Sequence, residues 1–94
     1  MGIVVTVNID ADPALVEKAE RDNPEVMQAI GAAAGKYMTS HRRTVREGHV
    51  MDLDEFASAA DYDAFIAEAG GAIAKYGQAI GVAPRDTLWT VQEG

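Results

Sequence analysis

The stretch His41 to Phe56, HRRTVREGHVMDLDEF, decides what kind of fold this chain makes. Ionisable groups crowd it, yet apolar residues recur, and Glu47-Gly48 sits at its middle. Glycine reaches positive φ without steric penalty, so Glu47-Gly48 predicts a tight hairpin turn. A two-residue turn sets Val45 opposite Val50, Arg43 opposite Asp52 and His41 opposite Asp54. Side chains alternate along a strand, so these residues share one face with Phe56, while Met38, Thr44, Met51 and Leu53 share the other.

On the N-terminal side, Ile3 to Ile9 is almost wholly β-branched. Ile3, Val5, Val7 and Ile9 are apolar in alternation with Thr6 and Asn8, which predicts a first strand. Asp12-Pro13 reads as an N-cap followed by proline at the first helical position, and a short helix is expected through Leu15, Val16 and Ala19. Asn23-Pro24 repeats the signal. A second segment should therefore follow a corner, with Val26, Met27, Ile30, Ala34 and Tyr37 at helical spacing. The spacing of Gly31 and Gly35 suggests a helix lying close to the sheet.

Beyond the hairpin, Ser58-Ala-Ala-Asp61 has the form of a capping box and opens a long helix with a stripe of Tyr62, Phe65, Ile66, Ala69, Ile73, Tyr76 and Ile80. Gly70-Gly71 should weaken it, predicting a kink or a close packing contact there. Gly81 and Pro84 end it, and Asp86 to Gln92 alternates as a last strand. The order β-α-β-β-α-β is the ferredoxin-like split βαβ arrangement, an α+β fold whose four-stranded antiparallel sheet carries helices on one face.

The length of 94 residues fits one domain, residues 1–94, built on one core. With 48% hydrophobic and 24% charged residues the composition is that of a globular protein. A net charge of -7 disfavours nucleic acid, which is bound by neutralising phosphates, and Arg42, Arg43 and Arg46 are too few to reverse it. The apolar runs are too short for a membrane partner. Without cysteine there is no thiolate metal site, and with no basic-then-apolar leader the expected location is the cytoplasm.

Helices on one face leave the other sheet face to be covered by something else. The residue pattern assigns to that uncovered face Val4, Val45, Val50 and Phe56 together with His41, Arg43, Asp52, Asp54, Thr6 and Asn8, a mixture too apolar for water and too charged for a dry core. The expected solution is a homodimer in which two sheets pack face to face as a dimeric α/β barrel, with a small polar pocket in each subunit.

The run Val50 to Phe65, VMDLDEFASAADYDAF, with Ala79 to Pro84, AIGVAP, after it, resembles the dimeric α/β-barrel superfamily that includes the antibiotic-biosynthesis-monooxygenase-like proteins. The resemblance covers most of the chain from about Asn23 onward in element order. It implies a pocket between sheet and helices and chemistry such as cofactor-free oxidation of quinol-like aromatics, haem degradation, or cyclisation or isomerisation of polyketides. On that resemblance Asn8 falls where such proteins place a pocket asparagine, and Glu55-Phe56 where they have Glu and Trp. The histidine that many of them carry early in the helix after the hairpin has no counterpart, since Tyr62 and Phe65 occupy that turn.

These readings define the candidate site. His41 would move a proton and Asp54 would orient it, because imidazole titrates near neutrality and a carboxylate fixes its tautomer. Arg43, or Asn8, would steady a developing oxyanion. Asp52, Phe56, Tyr62 and Trp89 complete the expected binding wall, with Phe56 and Trp89 sandwiching a ring. His49, at the hairpin tip, reads as exposed. The spacing of His41, Asp52 and Asp54 matches no metal signature, and neither metal nor cofactor is expected. The ligand class is a hydrophobic, aromatic or polyketide-like small molecule. The alternative is a non-catalytic binding or accessory dimer in which the polar face only specifies subunit pairing.

Overall fold

The computed structural model describes residues 1–93. The elements run β1 (Ile3–Ile9), α1 (Pro13–Asp22), α2 (Pro24–Tyr37), β2 (Met38–Arg46), β3 (His49–Phe56), α3 (Ala59–Ile80) and β4 (Arg85–Thr90). The sheet is antiparallel, in the order β2-β3-β1-β4, which is the ferredoxin-like α+β topology. The hairpin turns at Glu47-Gly48 with Gly48 at φ 75, and pairs Val45 with Val50, Arg43 with Asp52 and His41 with Asp54. An irregularity between Met38 and Ser40 shifts the register only where the strand leaves α2.

Local chemistry sets each helix boundary. Pro13 and Pro24 occupy first-turn positions, where the missing N–H costs nothing. Asp12 stands at the N-cap of α1 in extended conformation, yet its side chain makes no capping bond and only its carbonyl serves the first turn. The corner between α1 and α2 falls at Asn23, because proline disfavours helical backbone in the residue before it. Asn23 then donates its side-chain amide to the Ala19 carbonyl at 2.8 Å, closing the end of α1. Ser58 Oγ accepts from the Asp61 amide at 3.2 Å, and Gly81, at φ 95, ends α3 in the left-handed region.

Gly70-Gly71 departs from expectation. α3 runs unbroken through it, and a Cβ at either position would meet nothing within 4 Å. The close contact lies at Gly77, where a Cβ would stand 3.3 Å from Pro84 Cδ and 3.4 Å from Ala83 Cα. A Cβ at Gly31 or Gly35 would likewise meet nothing within 4 Å, so no close approach of α2 to the sheet requires glycine there. The last strand is also shorter than Asp86 to Gln92, beginning at Arg85 and ending at Thr90.

The largest correction concerns which face of the hairpin looks toward the helices. β3 pairs with β1 so that Phe56 meets Ile3, Asp54 meets Val5, Asp52 meets Val7 and Val50 meets Ile9. Directly paired residues project to the same side of a sheet. His41, Arg43, Asp52, Asp54, Val50 and Phe56 therefore stand on the helix-covered side, whereas Val4, Thr6 and Asn8 stand on the open side with Met51 and Leu53. The expectation that the four charged groups face away from the helices fails because it paired the hairpin correctly within itself but rotated it relative to β1.

The interior consequently divides. One buried cluster gathers Ile9, Val16, Ala19, Val50, Tyr76 and Ile80; another gathers Ile3, Val5, Ala33, Phe56, Phe65 and Ala69. Val7 and Ile30 border both. The inward-facing Asp52 and Asp54 lie between the two apolar zones along β3, and that is where the site forms. No helix among the described residues is long and apolar enough to cross a membrane.

Candidate active site between sheet and helices

A cavity of about 480 Å³ separates the sheet from α2 and α3 and is lined by Val5, Val7, Met27, Ile30, Gly31, Ala34, Phe56, Phe65 and Ile73 together with Glu20, His41, Arg43, Asp52, Asp54, Tyr62, Tyr76 and Asp86. That volume is within the range of sites for drug-sized molecules. Its walls are mainly apolar, with the polar groups gathered on β2, β3, β4 and the facing sides of α1 and α3.

Strand alternation places His41 and Arg43 two positions apart on β2, and Asp54 and Asp52 opposite them on β3. His41 Nδ1 lies 2.5 Å from Asp54 Oδ1. With Asp54 ionised, its oxygen accepts from Nδ1–H and the ring's lone pair sits on Nε2, the arrangement of a general base held by a carboxylate. The His41 side chain is 53% exposed and that of Asp54 only 11%, so the pair bridges solvent and interior. Burial holds the Asp54 carboxyl above its ordinary range; the His41 hydrogen bond opposes this shift, and the charges of Asp52 and Asp86 add to it.

Arg43 is the centre of a second network. Nε donates to Asp52 Oδ1 at 2.8 Å and one Nη donates to Asp52 Oδ2 at 3.0 Å, while the other Nη reaches Glu20 of α1. Tyr76 of α3 donates its hydroxyl proton to Glu20 at 2.6 Å. The bond to Asp52, with those to Tyr76 and Glu20, raises the Arg43 pKa further and keeps the guanidinium charged. Burial, then the bond to Glu20, pushes the Tyr76 hydroxyl upward and keeps it protonated. The network joins α1, the hairpin and α3 at one end of the cavity. Toward β4, Tyr62 donates to Asp86 at 2.8 Å, and burial followed by this bond raises the Tyr62 pKa.

Of the residues expected at the site, the structure brings together His41, Arg43, Asp52, Asp54, Phe56 and Tyr62 around the cavity. The rings of Phe56 and Tyr62 meet edge to face with centroids 5.4 Å apart, so Phe56, 2% exposed, forms a wall. Asn8 and Trp89 are not brought to it. Both project from the opposite side of the sheet, where Trp89 Nε1 donates to Thr6 Oγ1 at 3.1 Å and Asn8 Oδ1 lies 2.9 Å from His49 Nε2. His49 is thus no free tip residue, since Nδ1 also pairs with Asp10 at 2.9 Å. Glu20, Asp86 and the hydroxyl of Tyr76 were not anticipated. A signal existed for Glu20: it falls four residues after Val16 and therefore on the buried stripe of α1, where a carboxylate needs a partner.

No family model and no curated protein matches the sequence. Solved structures do match the fold. A candidate antibiotic biosynthesis monooxygenase from Caulobacter crescentus superposes with a TM-score of 0.70 at 19% identity, covering 98% of this chain and 91% of that one. A monooxygenase of Streptomyces coelicolor in complex with nanaomycin D gives 0.67 at 20% identity, over 99% and 89% of the two chains. The cofactor-independent oxygenase SnoaB of Streptomyces nogalater gives 0.59 at 12% identity, over 99% and 93%. This chain shares its fold with these structures.

Proposed function

We propose that this protein is a small-molecule enzyme of the dimeric-barrel type, acting without a bound metal or cofactor on a hydrophobic, aromatic or polyketide-like compound held between the sheet and the helices. The observation that carries this reading is the His41–Asp54 pair, 2.5 Å apart, set in the wall of a largely apolar cavity of about 480 Å³. His41 Nε2 takes a proton from an acidic hydroxyl or carbon of the bound ring, and Asp54 holds the imidazole and stabilises the imidazolium that forms. Arg43 is engaged through all its nitrogens, so its part is to fix Asp52, Glu20 and the cavity end, with Phe56 and Tyr62 packing against the ring. A cofactor-free oxygenation, a cyclisation or an isomerisation could each begin with that proton transfer. The resemblance in fold to monooxygenases supports the first.

Subunit pairing through the open side of the sheet belongs to the same reading. There Val4, Met51, Leu53 and Trp89 lie among Thr6, Thr87 and Asn8, and Trp89 is 56% exposed. The accessory-dimer alternative loses its basis in the charged hairpin residues, because they are turned inward and cannot specify pairing there.

The test is a screen of quinols, anthrones and aromatic polyketides by thermal shift, since a ligand that binds only the native state raises its melting temperature. Turnover of a hit by wild-type and His41→Ala protein follows. The expected result is loss of turnover of at least about a hundredfold with the fold intact, in keeping with the usual contribution of a positioned base. Full activity of His41→Ala would discard the assignment.

A further inference from the structure

The charge of the cavity lining is unbalanced, and the imbalance restricts what the cavity can hold. Carboxylates from Glu20, Asp52, Asp54 and Asp86 border it, against the guanidinium of Arg43 and the imidazole of His41. The guanidinium is not available to an anion, because Asp52 occupies Nε and one Nη and Glu20 occupies the other. The acids are less fully used. Asp54 gives Oδ1 to His41, and Asp86 gives Oδ2 to Tyr62. Asp54 Oδ2 and Asp86 Oδ1 accept nothing among the described residues.

Both of those carboxylates come from inward positions, Asp54 paired with Val5 and Asp86 with Val7 on either side of β1. Asp54 is 8% exposed while Asp86 stands at the exposed edge of the cavity, and charge at a buried position such as Asp54 is felt several times more strongly than in water. Asp54 has one cationic partner, His41, and its pKa is raised first by burial, with the charges of Asp52 and Asp86 adding to the shift against the lowering by His41. A cation entering the cavity would supply the missing compensation, whereas an anion would add to the repulsion and find the Arg43 guanidinium already occupied.

We infer that the cavity selects a hydrophobic ring compound bearing an ammonium group, its nitrogen turned toward Asp54 and Asp86, and rejects the same ring bearing a carboxylate. This rests on the reading of the cavity as a ring-binding site and goes beyond it by fixing the charge of the occupant.

Isothermal titration near neutral pH with three probes of one ring system, naphthylmethylamine, naphthalenemethanol and naphthoate, tests it. The amine should bind on the order of tenfold tighter than the alcohol, and the carboxylate most weakly of the three. Asp86→Asn and Asp54→Asn should each narrow the gap between amine and alcohol. Gly31→Phe should remove amine binding by filling the cavity, because a Cβ at Gly31 meets nothing within 4 Å and the backbone there can accept a side chain. Naphthoate binding as tightly as the amine, or an amine preference unmoved by both acid replacements, overturns the inference while leaving the ring-binding reading in place. An amine preference that survives Gly31→Phe shows attraction to the acidic surface instead and overturns it too. If none of the three probes binds, the ring-binding reading itself falls and the charge inference falls with it.

Discussion

Arg43 donates from Nε and one Nη to the two oxygens of Asp52, 2.8 and 3.0 Å away, on the side of the sheet that α1 and α3 cover. The pair is therefore part of the interior: Asp52 is 7% exposed and the Arg43 side chain 28%. Replacing one member strands the other without its partner, which for buried pairs costs about 3–5 kcal/mol, and roughly 2–3 kcal/mol is expected here because Arg43 retains some solvent. Asp52→Ala should lower the denaturation midpoint by that amount. Arg43→Lys should be nearly as harmful, since an ammonium cannot serve Asp52 and Glu20 together through a planar fork. A loss below about 0.5 kcal/mol for Asp52→Ala, the size seen for surface changes, would mean that the network does not hold the hairpin to the helices.

How much of this was legible in the sequence depends on which pairing is asked about. The contacts within the hairpin follow from Gly48 and alternation alone, so His41–Asp54 and Arg43–Asp52 could be read directly. The orientation of the hairpin against β1 could not. β3 carries Met51 and Leu53 on one side and Asp52 and Asp54 on the other, and a binary pattern sends the acids to solvent. A functional cavity breaks that pattern. Val50 and Phe56, only 1% and 2% exposed, carried the opposite signal, but two apolar residues flanking two acids did not outweigh it. The Ser58 cap, both proline starts and Gly81 were legible because each is a local backbone requirement. Glu20 and Tyr76 were not read as partners of Arg43, since that meeting depends on how α1 and α3 cross the sheet.

Asp54 makes stability depend on pH in a predictable direction. Its folded pKa lies above the unfolded value, mainly through burial, so the folded state holds the proton more tightly. Stability from this group is fully present below the unfolded value of 3.8 and declines as pH rises through the folded pKa. Asp54→Asn removes the titration while keeping an oxygen for His41. The variant's melting temperature should gain on that of the wild type as pH is raised from the unfolded value through the raised one, and level off above it. A difference independent of pH over that interval would show that burial does not raise the Asp54 carboxyl above its unfolded value.

Glycines in α3 should respond in opposite ways to added methyl groups. At Gly70 a Cβ meets nothing within 4 Å, so Gly70→Ala should stabilise the protein by about 0.4–1 kcal/mol through helix propensity and a less flexible unfolded chain. At Gly77 the new atom would press on Pro84 Cδ at 3.3 Å and on the backbone at Ala83, and Gly77→Val should cost about 1–3 kcal/mol as overpacking. Urea denaturation of the two single variants measures both. Equal and favourable effects would place the start of the β4 approach, Val82 to Pro84, farther from α3 than it is here.

Trp89 gives the open side of the sheet its largest apolar group, 56% exposed and opposite Val4 in the pairing of β1 with β4. Neighbouring Met51 and Leu53 are half-buried in the isolated subunit, and Thr6 engages the indole N–H, so the ring lies over the sheet and presents a flat surface. Burying such a ring at the centre of an interface contributes on the order of 2 kcal/mol or more. Trp89→Glu would instead set a carboxylate near Glu55 of β3, adding like charge to the same surface. If two copies pair through this side, the wild type should sediment as a dimer at micromolar concentration and Trp89→Glu as a monomer with a melting temperature that no longer depends on concentration. His41→Ala, whose side chain points to the other side, should leave the dimer unchanged. A wild-type protein that sediments as a monomer throughout would leave the sheet's open side without a second copy and require Trp89 to be explained by the subunit alone.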